Sequence, residues 1–198
     1  MPALIKQSEI TCPEPVIIDF GFSGLSEKHA QSIMRDIIRD NWPVLHRPDQ
    51  CVYVIRLVGQ VAASYPHDFS PVIYVGEGNA YERLYNHTSW IVPLVQNVPR
   101  LGIEIRIAQV ARRNNVNLYQ YIEADLLRWF ATDYGSLPWF NRQFEPSKEG
   151  SHLYEPEVER DLRRLIGVGA GNRFLWAIQP TRNNELYFPY TKGATVAA

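Results

Sequence analysis

The chain has 198 residues, 45% of them hydrophobic and 21% charged, which fits one globular domain with a substantial core and excludes a disordered chain. The formal net charge of −1 is not that of a typical nucleic-acid-binding domain, so a contact with DNA or RNA must rest on a local basic patch. Cys12 and Cys51, the only cysteines, lack metal-ligand spacing and argue against a disulfide framework or zinc site. Without a secretory signal or a membrane-length apolar stretch, we expect a cytoplasmic protein that binds no membrane.

The first 50 residues predict a strand followed by an amphipathic helix. Residues 16–20 are rich in β-branched side chains, and glycines mark the turn after them. Ser26 suits the N-cap of a helix that reaches about Arg39. The apolar residues at helical spacing are Ala30, Ile33, Met34, Ile37 and Ile38. We expect residues 1–50 to form an N-terminal extension that packs on the main domain.

The main domain, residues 51–145, predicts an α+β fold with the order strand, strand, helix, strand, helix. These elements are expected at residues 51–58, 72–76, 79–86, 102–110 and 118–132. The first two, joined by a loop with turn residues, form an antiparallel hairpin, and Pro93 and Pro99 interrupt the chain after the first helix. We expect a small central, mainly antiparallel three-stranded sheet flanked by helices. Residues 146–198 then form a C-terminal extension with a polar helix from Pro156 and a last strand near residues 174–178.

Glu123 falls inside the apolar arc of the second, longer helix. At about 100° per residue, that arc consists of Tyr119, Ile122, Leu126, Leu127 and Phe130. Asp125, Arg128 and Thr132 occupy the opposite side. Carboxylates are rarely buried unless they are paired, hydrogen-bonded or bound to metal. Glu123 is therefore a half-exposed residue at the edge of the arc, a residue paired with a structural arginine, or a functional group.

A set of four residues that precede Glu123 in the sequence favours the functional interpretation. Arg83 and His87 are four apart, so one helix presents both from nearly the same face, although such a pair is often only a solvated surface. Tyr74 ends a strand next to that helix, and Tyr53 lies on the partner strand of the hairpin. Together the set supplies a proton acceptor, a cation for a phosphate and a metal ligand.

The order of these motifs resembles the GIY-YIG nuclease family. Cys51-Val52-Tyr53 and Tyr74-Val75-Gly76 look like the two triplets that give the family its name. Residues 74–87 are similar to its second strand, turn and arginine-bearing helix, and Glu123 matches its metal-binding glutamate. The segment 137–141 is similar to the one that ends in the family's frequent asparagine, here Asn141. The resemblance covers roughly residues 51–141 and points to the branch that resembles restriction endonucleases.

The resemblance implies a metal-dependent endonuclease that hydrolyses phosphodiester bonds, with DNA as the favoured substrate. Glu123 would hold one Mg²⁺ or Mn²⁺ ion, and Arg83 would stabilise the charge on the pentacovalent phosphate. Tyr53 would accept the proton of the attacking water, Tyr74 would orient the phosphate or the water, and His87 would assist proton movement. Gly76 and Asn141 would be structural supports, with Asn141 bracing the glutamate helix.

Substrate recognition is predicted less sharply. Arg112, Arg113 and Asn115 combine phosphate-binding and base-reading side chains on the loop before the glutamate helix. The basic residues of the helix from Pro156 alternate with acidic ones, which favours an ordinary solvated face. Three classes remain open: a DNA endonuclease, which we expect to be a homodimer if it makes double-strand cuts; an RNase or toxin on the same core; and a non-catalytic descendant that binds nucleic acid or a protein.

Overall fold

The structure, a computed structural model, describes residues 3–18, 26–41, 49–98, 101–111, 115–142, 152–169, 174–179 and 181–183. The fold is α+β. The helices are α1 (Glu27–Asn41), α2 (Ala80–Asn97), α3 (Leu118–Tyr134) and α4 (Pro156–Ile166), with a 3₁₀ turn at Gln7–Glu9. The strands are β1 (Ala3–Ile5), β2 (Ile10–Thr11), β3 (Val16–Ile18), β4 (Cys51–Val58), β5 (Val61–Ser64), β6 (Phe69–Ser70), β7 (Val72–Gly78), β8 (Gly102–Val110), β9 (His152–Tyr154) and β10 (Trp176–Ile178). No helix within these ranges is long and apolar enough to cross a bilayer.

The central sheet is antiparallel and has β4 in its middle. β4 pairs with β7 on one side and with β8 on the other, and every β4 residue from Cys51 to Leu57 is buried, as expected for a strand covered on both faces. β2 and β3 both pair with the outer edge of β8. The sheet therefore has five strands rather than the three expected, because the N-terminal segment adds two short strands to it.

The predicted hairpin is present, but its connecting segment has more structure than a loop. β4 and β7 pair with Tyr53 opposite Gly76 and Ile55 opposite Tyr74. Between them, β5 and β6 form a second, three-stranded sheet with β10, which pairs with β5 in parallel. β5 and β6 pair with each other as a short local hairpin, and β5 gains β10 as a second partner from a segment more than 100 residues away, which local periodicity could not reveal.

The helix that carries Arg83 is longer than predicted. α2 runs through Pro93 to Asn97, so the expected end near residue 86 was wrong. A proline in a helix interior costs about 3 kcal/mol, and burial of Ile91, Val92 and Val95 on the same helix offsets that cost, since each buried aliphatic side chain contributes about 1.5–3 kcal/mol. The carbonyl of Pro93 also accepts a hydrogen bond from Asn97 Nδ2 at 2.7 Å.

The first and third helices follow the predicted pattern more closely. Ser26 Oγ accepts a hydrogen bond from His29 N at 3.3 Å, and Ala30 and Met34 are buried on α1. α3 ends at Tyr134, close to the expected end at residue 132, with Gly135 as its left-handed C-cap. Asp125, however, is buried rather than on a polar face, because Tyr154 of the C-terminal segment donates a hydrogen bond of 2.6 Å to its Oδ2.

The N- and C-terminal segments are tied to the central sheet. β1 pairs with β9 in parallel. The Arg56 side chain, buried in β4, donates from Nη1 to the carbonyls of Leu165 at 2.9 Å and Gly167 at 2.7 Å, at the end of α4. Burial, together with the nearby Arg106, lowers the pKa of Arg56 to about 10 against the opposing effect of Glu104. A buried guanidinium therefore fixes the C-terminal helix to the sheet that carries Tyr53.

Candidate active site

A cleft of about 420 Å³ lies between β7, α2 and α3. Its lining includes Tyr74, Glu77, Arg83, Gln120, Glu123 and Arg142. Three of the five predicted catalytic residues, Tyr74, Arg83 and Glu123, thus face one concave surface from three different elements. We take this cleft as the candidate active site.

The turn from β7 into α2 aims Arg83 at the cleft. Gly78 has φ of 103°, a left-handed conformation that a residue with Cβ rarely adopts, and this lets the chain leave the sheet. Asn79 then caps α2, since its side chain accepts hydrogen bonds from the backbone of Tyr81 and Glu82. The first turn of α2 therefore starts beside the end of β7, with Arg83 over the cleft and His87 one turn further along.

Tyr53 and His87 form a layer behind the cleft. Tyr53 is fully buried, and its Oη lies 2.9 Å from His87 Nε2. The ring of Tyr74, which lines the cleft, lies beside this pair, with its centroid 6.0 Å from that of Tyr53 and 4.4 Å from that of His87. Tyr53 is not among the residues that line the cleft, but its hydroxyl is hydrogen-bonded to Arg83, which is.

Gly76 makes the close packing of the two tyrosines sterically feasible. A Cβ at this position would lie 2.5 Å from Cε1 of Tyr74 and 2.7 Å from Oη of Tyr53. Side chains do not approach this closely, so a larger residue would push the rings apart. The glycine of the second triplet is needed here for space, and its structural role follows directly from the packing.

The electrostatic environment keeps both tyrosines neutral in this state. Burial raises the pKa of Tyr53 far above its usual range, with Tyr74 adding to the rise and Arg83 opposing it. Burial also raises the pKa of Tyr74, whereas Arg83 and the contact with Tyr53 lower it and Glu123 and Glu77 raise it. Burial lowers the pKa of His87 to about 4, with a further contribution from the charge of Arg83, so His87 is neutral at physiological pH.

Asn141 closes the end of the site by binding the backbone of β7. Its Nδ2 donates to the carbonyl of Val75 at 2.6 Å, and its Oδ1 accepts from Val75 N at 2.9 Å. Phe140 N adds a hydrogen bond of 3.0 Å to the carbonyl of Ile73. Asn141 therefore fixes the strand that carries Tyr74, not the glutamate helix as expected, because its amide forms the two-way pairing of a neighbouring strand.

Glu123 is half-buried on the cleft face of α3. Glu77 lines the same cleft, so two carboxylates and the two cations Arg83 and Arg142 surround the space. Carboxylate oxygens are the ligands that Mg²⁺ and Mn²⁺ prefer, and the chemistry of the lining fits a hard divalent cation. Among the described residues, no three side chains of His, Cys, Asp or Glu converge as a metal site, so water and substrate oxygens would have to complete the coordination shell.

The predicted nucleic-acid contacts fall largely outside the described residues. Arg112 and Arg113 lie outside the described residues, so their predicted contacts with nucleic acid stay a prediction. Asn115 Oδ1 accepts a hydrogen bond from Asn117 N at 3.2 Å just before α3. On α4, Arg163 pairs with Glu159 at 2.8 Å and Arg164 with Asp161 at 3.1 Å, and these exposed ion pairs agree with an ordinary solvated face.

Three residues of the site escaped the sequence analysis. Gln120 and Arg142 line the cleft, and Trp90 donates a hydrogen bond of 3.0 Å from Nε1 to His87 Nδ1. Gln120 is one helical turn before Glu123, and Arg142 directly follows Asn141, so both positions carried a signal. No sequence signal pointed to Trp90, because the helix was expected to end before it.

Comparison of the chain with protein-family models, with curated proteins and with solved structures finds no match.

Proposed function

We propose that the protein is a divalent-metal-dependent endonuclease that hydrolyses phosphodiester bonds, with DNA as the favoured substrate. The observation that carries this proposal is the cleft in which Tyr74, Arg83 and Glu123 converge, backed by the hydrogen-bonded pair Tyr53 and His87. A phosphodiester needs a cation to neutralise its developing negative charge and a base to take a proton from water. The cleft offers Arg83 as the cation, Tyr74 as a group that can take the proton, and Glu123 as a carboxylate for a metal.

The charge balance of the cleft favours a metal. Glu77 and Glu123 would repel a phosphate that approached Arg83 and Arg142 without further positive charge. A Mg²⁺ or Mn²⁺ ion held by Glu123 would supply Lewis-acid stabilisation of the leaving 3′ oxygen. The central strands β4, β7 and β8, with α2 and α3 beside them, supply the scaffold that we assign to a GIY-YIG-like core.

The depth of the two tyrosines favours Tyr74 as the residue that meets the attacking water. Tyr74 lines the cleft, whereas Tyr53 is fully buried behind it. To act as the base, Tyr74 reacts as the phenolate, its own proton having passed to solvent. Water then attacks phosphorus and gives its proton to that phenolate, while the bond from phosphorus to the 3′ oxygen breaks and the 3′ oxygen takes a proton from solvent. Arg83, whose charge lowers the pKa of Tyr74 against the opposing effect of burial, also forks onto the phosphate oxygens. Tyr53 and His87 support Tyr74 from behind.

Incubation with supercoiled plasmid and Mg²⁺ tests the proposal. The expected result is conversion to nicked or linear DNA by the wild type, with structured RNA cut more slowly. Direct conversion to linear DNA would indicate paired active sites and hence a homodimer. Cleavage of RNA alone would favour the RNase alternative, and a well-folded protein that cuts neither nucleic acid would overturn the nuclease proposal.

A further inference from the structure

Trp90 lies at one end of a row of hydrogen-bonded side chains that runs through His87 to Tyr53. Its indole nitrogen lies 3.0 Å from His87 Nδ1, and His87 Nε2 lies 2.9 Å from Tyr53 Oη. The indole is itself held in place by stacking on Phe140, with ring centroids 4.0 Å apart and planes inclined by 16°. Both ring nitrogens of His87 therefore have a fixed partner.

The chemistry of tryptophan determines which group donates and which accepts in each hydrogen bond of this row. An indole N–H donates a hydrogen bond and cannot accept one, so Nδ1 of His87 must carry a lone pair. A neutral imidazole has one proton on its two nitrogens, which leaves that proton on Nε2. A doubly protonated ring would set its Nδ1 proton against the indole proton of Trp90. His87 Nε2 consequently donates to the hydroxyl of Tyr53.

We propose that Trp90 is a positioning residue, which holds His87 in its Nε2–H tautomer so that His87 donates a hydrogen bond to Tyr53 and takes no proton from it. The inference rests on the proposed nuclease function for its catalytic meaning, since it assigns His87 a supporting role instead of proton transfer. The tautomer itself follows from the geometry alone.

The hydrogen bonds of this row also affect the protonation of Tyr74. Because the Tyr53 oxygen accepts from His87, the proton of Tyr53 is directed to another acceptor, and the ring beside it is that of Tyr74. Burial raises the pKa of both tyrosines, and their mutual contact raises the pKa of Tyr53 further while it lowers that of Tyr74. Arg83, which can only donate, is also hydrogen-bonded to Tyr53. With His87 and Arg83 donating to the Tyr53 oxygen, the Tyr53 proton is left for Tyr74, and a hydrogen bond in that direction stabilises negative charge on the tyrosine that lines the cleft.

Histidine ring nitrogens can be observed directly in ¹⁵N-labelled protein. In a two-bond ¹H–¹⁵N correlation spectrum near pH 7, protonated and bare ring nitrogens have distinct shifts, and the His87→Gln variant identifies the signals of His87. We expect a pure Nε2–H tautomer in the wild type. A hydrogen-bond coupling between Trp90 Nε1 and His87 Nδ1 should also be visible, and it requires no variant. An Nδ1–H tautomer or an imidazolium in the wild type would overturn the proposal.

Trp90→Phe removes the N–H and keeps an aromatic ring, so His87 should then populate the Nδ1–H tautomer. Trp139→Phe is the matched control, because the buried Trp139 Nε1 has no hydrogen-bond partner within the described ranges. An unchanged tautomer in folded Trp90→Phe would refute the role of Trp90. Single-turnover cleavage should fall at least about tenfold in Trp90→Phe and little in Trp139→Phe, since the row of hydrogen bonds positions Tyr74 and a positioned proton-transfer group contributes about 10²–10⁴-fold. The spectra need no cleavage, so an inactive protein with the expected tautomer would count against the nuclease function alone.

Discussion

Gly76 lies directly against the hydroxyl end of Tyr53, where a Cβ would come within 2.7 Å of Oη. The two residues are also paired across the β4–β7 hairpin, so the backbone that aligns the strands fixes this distance. The depth of Tyr53, its hydrogen bond to His87 and the position of Tyr74 all depend on the missing side chain.

We expect Gly76→Ala to displace the tyrosine rings and to lower cleavage by more than it lowers stability. Overpacking of this kind costs about 1–3 kcal/mol in folding free energy, while small misplacements of catalytic groups cost about 100-fold in rate. Gly102→Ala is the matched control, since its Cβ would meet Val58 at an ordinary 3.4 Å. Equal cleavage by both variants would show that the packing of Gly76 has no bearing on the site.

The two tyrosines should differ in their importance for cleavage. Tyr74→Phe removes the hydroxyl that lines the cleft, so we expect a rate loss of about 100-fold or more. Tyr53→Phe removes a hydroxyl one layer behind and should cost less. Tyr85→Phe, on α2 where the ring lies under Arg35, controls for loss of a hydroxyl elsewhere. A larger loss for Tyr53→Phe than for Tyr74→Phe in single-turnover assays would return the role of base to Tyr53.

The fold could be predicted where the pattern was local, and the site only in part. The alternation of Ile103, Ile105 and Ile107 against polar neighbours gave β8, and those three residues are buried. The extent of α2 could not be predicted, because the penalty of Pro93 is local and the burial that offsets it is tertiary. Likewise, Asp125 is buried by Tyr154, which is 29 residues away in the chain. A helical wheel carries no information on such a partner.

Arg83→Lys separates a phosphate clamp from a surface ion pair. Lysine keeps the charge but loses the planar fork that binds two phosphate oxygens, so we expect a fall of about 100-fold or more in the single-turnover rate. Thermal stability should hardly change, because exposed ion pairs contribute about 0–1 kcal/mol. Arg35→Lys, an arginine on α1 that lies over Tyr85, is the control. A rate near that of the wild type would favour the non-catalytic alternative.

His87 should make the fold sensitive to mild acid. Its pKa falls from 6.5 to about 4 in the folded protein, so below pH 6.5 the unfolded chain binds the proton more readily. The free energy of unfolding should therefore decrease as the pH falls from 6.5 to 4, by about 2–3 kcal/mol from this group. Denaturant titrations of the wild type and His87→Gln isolate the contribution. Parallel pH profiles for the two proteins would mean that His87 titrates normally.

Glu123→Gln is the most direct test of the nuclease assignment. The change keeps the size of the side chain and its hydrogen bonding but removes the charge that binds a hard cation. Glu82→Gln removes the same charge from the exposed first turn of α2 and serves as the control. The measurement is plasmid cleavage over a Mg²⁺ titration, with DNA binding followed in parallel. We predict that Glu123→Gln stays folded, binds DNA and loses cleavage by orders of magnitude, while Glu82→Gln cleaves at close to the wild-type rate. Undiminished cleavage by Glu123→Gln, or by the wild type in excess EDTA, would contradict the assignment of Glu123 as the metal ligand of a nuclease.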